Sequence, residues 1–300
     1  MIKFDLIQLS KDHGFSSCYI LDASFAASAP ENVSTLLLLV YPYHSWGQAD
    51  PGCVKISAYY HAAQTAYHNA KKLVQDLHEM GEFSLLCNDV RLKPILSHLE
   101  DFSQGRNTLH YHKTYGSRFH VQVIGLASTY PFSASIVSNP WTGMCGNCQK
   151  CIQACPGKAL TLDGLVRDKC LRQHMMSGNA IPDHMRTLMG NRLLGCDICQ
   201  QVCPYNKHLP DDCTNAHQFP IERLLKKDVE CMASLSIQIG SNMSLPNRVC
   251  AQACIAAGNS DDVDLLPILA ELCYSPSGTI ADHAAWAVKM LSKQPPNVTF

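Results

Sequence analysis

The chemistry in this sequence gathers on its cysteines. There are sixteen in 300 residues, and half of them fall within residues 145–203. Two runs carry the pattern: Cys145-x-x-Cys148-x-x-Cys151-x-x-x-Cys155-Pro156 and Cys196-x-x-Cys199-x-x-x-Cys203-Pro204. Two-residue gaps let a tight loop wrap one iron–sulfur cube and put successive thiolates on different irons. The last cysteine of each run follows a longer step and points toward the other cube, and the proline ends the turn. The second run lacks a cysteine ahead of it, and Cys170 can supply the missing thiolate. The count then closes on two 4Fe–4S clusters. Cluster 1 takes Cys145, Cys148, Cys151 and Cys203; cluster 2 takes Cys155, Cys170, Cys196 and Cys199.

The competing readings are a zinc site or inert buried thiols. Zinc takes four ligands, commonly from paired C-x-x-C knuckles, and two cysteine–proline runs suit it poorly. The other eight cysteines (Cys18, Cys53, Cys87, Cys213, Cys231, Cys250, Cys254 and Cys273) lie alone or in apolar segments and read as small buried hydrophobes. Two clusters pass single electrons; they do not by themselves transform a substrate. An acceptor is needed, and residues 1–140 are the natural place for it.

The elements that must position these thiolates fall into three segments, giving an α+β chain: an α/β domain at 1–140, a ferredoxin-like double 4Fe–4S domain at 141–217 and a helical domain at 218–300. In the first, residues 2–13 have helical spacing with Gly14 as a C-cap, 17–21 and 34–40 read as strands, and 54–80 as a long helical stretch ended by Gly81. Residues 83–87 and 119–124 are further strands, so one sheet with helices packed on it is expected. The cysteine region is too rich in Gly, Cys and Pro for a large core of its own. Beyond it, 246–258 and 265–273 read as an antiparallel helix pair, and 281–293 as a third helix, a short repeat of the HEAT type.

Composition sets the outer bounds. A net charge of −1 gives no general affinity for polyanions, so any nucleic-acid contact needs a local basic patch. No apolar run approaches the roughly 18 residues that span a bilayer, and residues 1–4 carry no signal-peptide pattern. A cytoplasmic, monomeric protein that meets no membrane is expected.

The stretch from Ile181 to Gln200, ending Gly195-Cys196-Asp197-Ile198-Cys199-Gln200 and continuing through Cys203-Pro204-Tyr205-Asn206, resembles epoxyqueuosine reductases. Its GCDxCQxxCPxN element separates the chain from generic ferredoxins. The resemblance covers roughly residues 50–300 and is strongest at 141–206. It implies a cobalamin-dependent enzyme whose N-terminal and cluster domains sandwich a corrinoid. The clusters, fed by an external low-potential electron donor, reduce the cobalt. The reduced cobalt and a nearby acid then remove the epoxide oxygen of epoxyqueuosine in a tRNA anticodon loop, while the helical repeats help to hold the tRNA. By the same resemblance Tyr60, Arg106 and Asn107 belong to corrinoid binding.

The chain departs from the family where the acid should be. A segment after Ala27 is missing. At the family's V-D-x-x-P element it has Val90-Arg91-Leu92-Lys93-Pro94, and Ser97 stands where a Glu usually follows. Arg91 occupies the acid's position. It cannot deliver a proton at neutral pH, but it can bind an anion. Asp89, two residues earlier, shares a strand face with position 91 and is the alternative proton donor. The Gly-rich element is reduced to Gly105-Arg106-Asn107-Thr108. His110 and His112 share a strand face, as metal ligands can; His61 and His68 lie on one helix; the commoner role for all four is a satisfied polar group. Met175 and Met176 read as packing. Three functions compete: an epoxyqueuosine-type reductase acting on tRNA, a diverged paralogue that reduces another substrate or reactivates a partner corrinoid protein, and a plain electron-transfer module.

Overall fold

The computed structural model describes residues 5–137, 144–209, 211–212 and 217–293. The chain divides into two compact units that interleave along the sequence. The first comprises Met1–His44, Ala58–Cys151 and Gln200–Pro210; the second comprises Ser45–Ser57, Ile152–Cys199 and Asp211–Phe300.

The first unit is built on an antiparallel four-stranded sheet in the order Ser17–Asp22, Thr35–Pro42, Phe119–Leu126, Ser84–Leu86. The run Leu36–Val40 is apolar at every position because both faces of its strand are covered. Leu37 and Leu39 meet the Ala58–Glu79 helix through Ala66, Ala70, Leu73 and Leu77. Leu36, Leu38 and Val40 face a second core with Ile95, Leu96, Leu99 and Phe102. Burying five such side chains stabilises the sheet by roughly 1.5–3 kcal/mol each. On that second face lie the short Leu92–Leu96 helix and the Phe102–Gln104/His110–His112 hairpin. The N-terminal helix runs over Leu6–Asp12, capped by the Asp5 carboxylate on the Gln8 N–H at 2.9 Å. Gly14 follows it at φ 82, the left-handed conformation a helix end favours. Residues 2–4 of the expected helix lie outside the described residues.

The stretch 54–80 is not one helix. Cys53–Ile56 is a strand of the second unit, and the helix begins at Ala58. The strand's burial alternates, with Val54 and Ile56 inside, because it is the centre of a sheet flanked by Arg192–Leu194 in parallel and Gln218–Pro220 in antiparallel.

The helical part of the second unit contains Ile221–Leu225, Val229–Ile239, Pro246–Gly258, Leu266–Leu272 and Gly278–Leu291. The expected pairing of 246–258 with 265–273 is replaced by another. Both Pro246–Gly258 and Leu266–Leu272 pack principally on Gly278–Leu291. Gly258 decides this: a Cβ there would stand 2.5 Å from the Trp286 ring and 2.9 Å from the Ala287 Cα, so only glycine allows the two helices this close.

Candidate functional site

The eight motif cysteines divide between the units four and four. Cys145, Cys148, Cys151 and Cys203 lie in the first, and Cys155, Cys170, Cys196 and Cys199 in the second. All eight are half-buried and none is in a disulfide.

In the first unit the Cys145 loop is held from three sides. The Arg106 N–H points at the Cys145 sulfur at 3.3 Å, and the Arg106 guanidinium donates to the Gly146 carbonyl at 2.6 Å. The Tyr205 hydroxyl donates to the Met144 carbonyl at 2.6 Å. Cys203 is returned to this unit by Asn206, whose side chain is 2% exposed. Asn206 Oδ1 accepts from the Ser117 N–H at 2.9 Å, and its Nδ2 donates to Ser117 Oγ at 2.9 Å and to the Gln200 carbonyl at 2.8 Å. Gln200 in turn donates to the Ser117 carbonyl at 3.3 Å. The Gln and Asn of the CQxxCPxN element are thus the residues that dock the second cysteine run against the 116–117 turn. Between the two cysteine sources stands Tyr111, 3% exposed. Its oxygen accepts from Asn107 Nδ2 at 2.9 Å, and its hydroxyl bonds to Cys203; burial and that sulfur push its acidity down, so it stays a neutral donor.

In the second unit the Cys155 turn lies against the 3-10 turn Arg167–Lys169 that leads to Cys170. A Cβ on Gly157 would stand 2.1 Å from the Lys169 carbonyl oxygen, so the approach requires glycine. The Ala159 N–H points at the Cys155 sulfur at 3.2 Å. Burial pushes the Cys196 thiol up, the Ile198 N–H and the Arg192 charge pull it down, and Cys170 is near enough to raise it. Metal ligation would supply the missing drive for deprotonation. Behind these thiols the 181–195 stretch is clamped to the helices. Buried Arg186 donates to the Ile181 carbonyl at 2.6 Å and pairs with Asp282, and Asn259 donates to the Arg186 carbonyl at 2.9 Å. His283 Nε2 accepts from the Ile181 N–H at 3.0 Å while Nδ1 donates to the Ala251 carbonyl at 2.9 Å.

Among the described residues no three His, Cys, Asp or Glu side chains are grouped to hold a single metal ion. The thiolates of a cube each bind a different iron and need not converge on one point. Hydrogen bonds from backbone N–H to sulfur, seen at Cys145 and Cys155, are the ordinary second shell of such clusters.

The residues singled out around position 90 sit differently from the expectation. Positions 88–89 form a turn and Arg91 is the N-cap of Leu92–Leu96, so Asp89 and Arg91 are not neighbours on a strand face. Both are exposed. Lys93 donates to the Thr108 carbonyl at 3.0 Å, and Ser97 Oγ meets His110 Nε2 at 3.0 Å. Tyr60 is 6% exposed in its helix, with its ring against Tyr59. Asn107 is committed to Tyr111 and to the Leu109 N–H, and Arg106 to the Cys145 loop. Two of these three thus bond within the cysteine group.

Of the four histidines, His68, His110 and His112 have side-chain hydrogen-bond partners. His112 Nδ1 accepts from the Thr114 N–H at 3.0 Å, so Nε2 carries the proton and donates to Tyr19 at 2.8 Å, whose hydroxyl donates to Asp101 at 2.6 Å. Burial holds both His110 and His112 down at about 4; the charge of Lys93 adds to this at His110, while at His112 the Asp101 carboxylate opposes it and the smaller effect of Lys113 adds to it. His68 meets Gln64 at 2.8 Å. Cys87, Cys231, Cys250 and Cys254 are buried and Cys18, Cys53 and Cys273 half-buried; Cys213 lies outside the described residues. Met175 is fully buried. Tyr111, Asn206 and Arg186 were not singled out as site residues from sequence, although the last two stand inside the motif stretch.

Residues 144–206 match the 4Fe-4S double cluster binding domain family. The epoxyqueuosine reductase of Bacillus subtilis (strain 168) is 31% identical over 184 residues, which is 58% of this chain and 46% of that protein. That of Lactococcus garvieae (strain Lg2) is 29% identical over 209 residues, 63% of this chain and 55% of that protein. The chain therefore spans about half the length of these curated relatives. Over 96% of its length it superposes on 89% of a crystal structure of epoxyqueuosine reductase with a tRNA-Tyr epoxyqueuosine-modified tRNA stem loop, with a TM-score of 0.76 and 19% identity. That likeness establishes the mixed α+β fold. With the double-cluster domain and these sequence matches, the chain is similar to epoxyqueuosine reductases over about half of their length.

Proposed function

We propose that this chain is an iron–sulfur oxidoreductase of the epoxyqueuosine reductase type, in which two 4Fe–4S clusters deliver electrons one at a time toward a substrate carried on tRNA. The observation that supports this most is the four-and-four division of the motif cysteines between the units, within a stretch that matches a double-cluster domain. Cluster 1 is assigned to Cys145, Cys148, Cys151 and Cys203, and cluster 2 to Cys155, Cys170, Cys196 and Cys199. The last cysteine of each run goes to the cluster of the other run, as in two-cluster domains.

In this reading residues 1–140 form the corrinoid and substrate segment, 141–217 the cluster segment and 218–300 a short HEAT-like segment. The chain works in the cytoplasm as a monomer with an external low-potential donor. A corrinoid, when bound, would supply a strongly reducing metal; the support for it here is the resemblance to epoxyqueuosine reductases. A solved epoxyqueuosine reductase of like fold carries a tRNA stem loop, and tRNA is the proposed partner. The chain's own residues then have defined tasks. The eight thiolates hold the irons, and Tyr111 and the Arg106 and Ala159 N–H groups donate toward the sulfurs. Asp89 offers an exposed carboxyl as proton donor, and Arg91 offers a guanidinium to a phosphate or an anionic substrate.

The test is anaerobic reconstitution with iron and sulfide, incubation with cobalamin, gel filtration and metal analysis, followed by an assay on epoxyqueuosine-modified tRNA. About eight irons and one cobalt co-eluting with the chain, with conversion of the tRNA, is the expected result. Iron without cobalt would reject the corrinoid. A second reading, a paralogue acting on a different anionic substrate, is favoured by Arg91 and Lys93 in place of an acid. It predicts iron and cobalt binding with no tRNA conversion.

A further inference from the structure

Cluster 2 has to be filled with electrons from outside, and the surface around two of its ligands has the make-up of a protein-docking site. Residues 155–172 form a hairpin closed on itself. The Lys158 N–H donates to the Cys155 carbonyl at 3.0 Å, the Val166 N–H to the Ala159 carbonyl at 2.8 Å, and the Cys170 N–H to the Arg167 carbonyl at 2.9 Å. Leu160–Thr161 pairs with Gly164–Leu165, and Gly157 brings the Cys155 turn onto Lys169. Cys155 and Cys170 therefore sit at the base of this hairpin.

At its tip three aliphatic side chains face water: Leu162 is 63% exposed, Leu165 37% and Val166 40%. Exposed basic side chains surround them, namely Lys158, Arg167 and Lys169. Over residues 155–172 there are four basic side chains against two acidic ones, while the whole chain is −1. The rim is predominantly basic, with Asp163 and Asp168 also exposed in it; an apolar centre with a charged rim is how transient protein interfaces are built, the rim steering encounter and the centre holding it. Aliphatic side chains also argue against single-stranded RNA, whose bases stack on aromatic rings, and the hairpin has none.

We propose that the 155–172 hairpin is the docking surface for an acidic, low-potential, one-electron carrier protein, and that electrons enter through cluster 2. This rests on the two-cluster reading above. In the step itself the reduced carrier loses one electron and cluster 2 gains it; no bond forms or breaks and no proton moves. Entry at cluster 2 suits the division of the chain, because the unit holding cluster 1 also holds most of residues 1–140, where the electrons are used.

The experiment is stopped-flow reduction of the reconstituted chain by a reduced acidic 2Fe–2S ferredoxin, with dithionite as the small-molecule control. Lys158→Glu with Arg167→Glu is compared with wild type and with Lys72→Glu, an exposed charge change on the Ala58–Glu79 helix of the other unit. Leu162→Ser probes the apolar centre. The expected result is a second-order rate constant for the ferredoxin lowered about tenfold or more in the double variant at low salt, within the range electrostatic steering commands. The gap should narrow as salt rises, with iron content and the dithionite rate unchanged. Lys72→Glu should match wild type, and Leu162→Ser should slow the reaction at every salt concentration. An unchanged ferredoxin rate in the double variant would overturn the proposal. So would an unchanged ferredoxin rate accompanied by lost affinity for a labelled tRNA anticodon stem loop, which would make the hairpin a nucleic-acid surface. Wild-type protein holding only about four irons would instead overturn the two-cluster reading beneath it.

Discussion

Replacing Tyr111 by Phe should lower the reduction potential of the cluster proposed to be ligated by Cys203 and leave the other one where it is. The Tyr111 oxygen already accepts from Asn107 Nδ2 at 2.9 Å, and its hydroxyl bonds to the Cys203 sulfur. With its lone pair engaged by Asn107, the phenol turns its proton to the thiolate. Reduction adds an electron to the cube, and part of that charge spreads onto its sulfurs. The hydrogen bond is therefore stronger in the reduced state and holds the potential up. A neutral hydrogen bond contributes about 0.5–1.5 kcal/mol and a charge-assisted one about twice that, so the difference between oxidation states is on the order of 0.5–1.5 kcal/mol. For one electron a tenfold change in equilibrium is about 59 mV, or about 1.4 kcal/mol, so the variant should fall by roughly 20–60 mV. The site is closed to water, Tyr111 being 3% exposed, so a solvent molecule cannot readily take over the donor's task. The measurement is an anaerobic redox titration followed by electron paramagnetic resonance on reconstituted wild type and variant. Asn107→Ala, which frees the phenol to rotate, should give a smaller shift of the same sign. An unchanged potential, a rise, or a shift confined to the other cluster would refute the reasoning.

Cys199→Ser should reduce the iron content from about eight to about four per chain and abolish electron delivery, read by metal analysis and by bleaching of the visible absorbance. Arg186→Met removes the buried donor to the Ile181 carbonyl and the pair with Asp282. Asp282 is 50% exposed and Asp183 70% exposed, so both regain water, and the loss should be about 2–3 kcal/mol rather than the larger penalty of a fully buried pair; the urea midpoint measures it. His110 and His112 are held neutral in the folded chain at about 4, so the unfolded chain binds more protons between there and its ordinary value near 6.5. Their contribution is complete above about 6.5 and is lost as pH falls toward 4, by up to about 3 kcal/mol per histidine. Urea midpoints at pH 7 and pH 5 should differ in wild type and differ less in His110→Gln.

The parts of the molecule that could be read from sequence are those fixed by local chemistry. Cysteine spacing is set by how a short loop wraps a cube. The helix over residues 246–258 announces both of its ends, with Pro246 at its first position and small residues behind it. The run at 34–40 is apolar on consecutive positions because both of its faces are covered. What could not be read depends on partners far away in the chain. The strand Cys53–Ile56 is four residues long and borrows both neighbours from beyond residue 190. The network at Cys203 joins positions 107, 111, 117 and 206, and no local pattern links them. The segment around residue 90 is the instructive case. A strand would have put Asp89 and Arg91 on one face, and a small slip of register could then exchange them. Pro94 points the other way: within Leu92–Leu96 it lies in the first turn, where its missing N–H has no intrahelical partner to lose. A residue held at the N-cap of that helix cannot slide along a ladder. Asp89 can therefore come to the place of Arg91 only by moving the 88–89 turn.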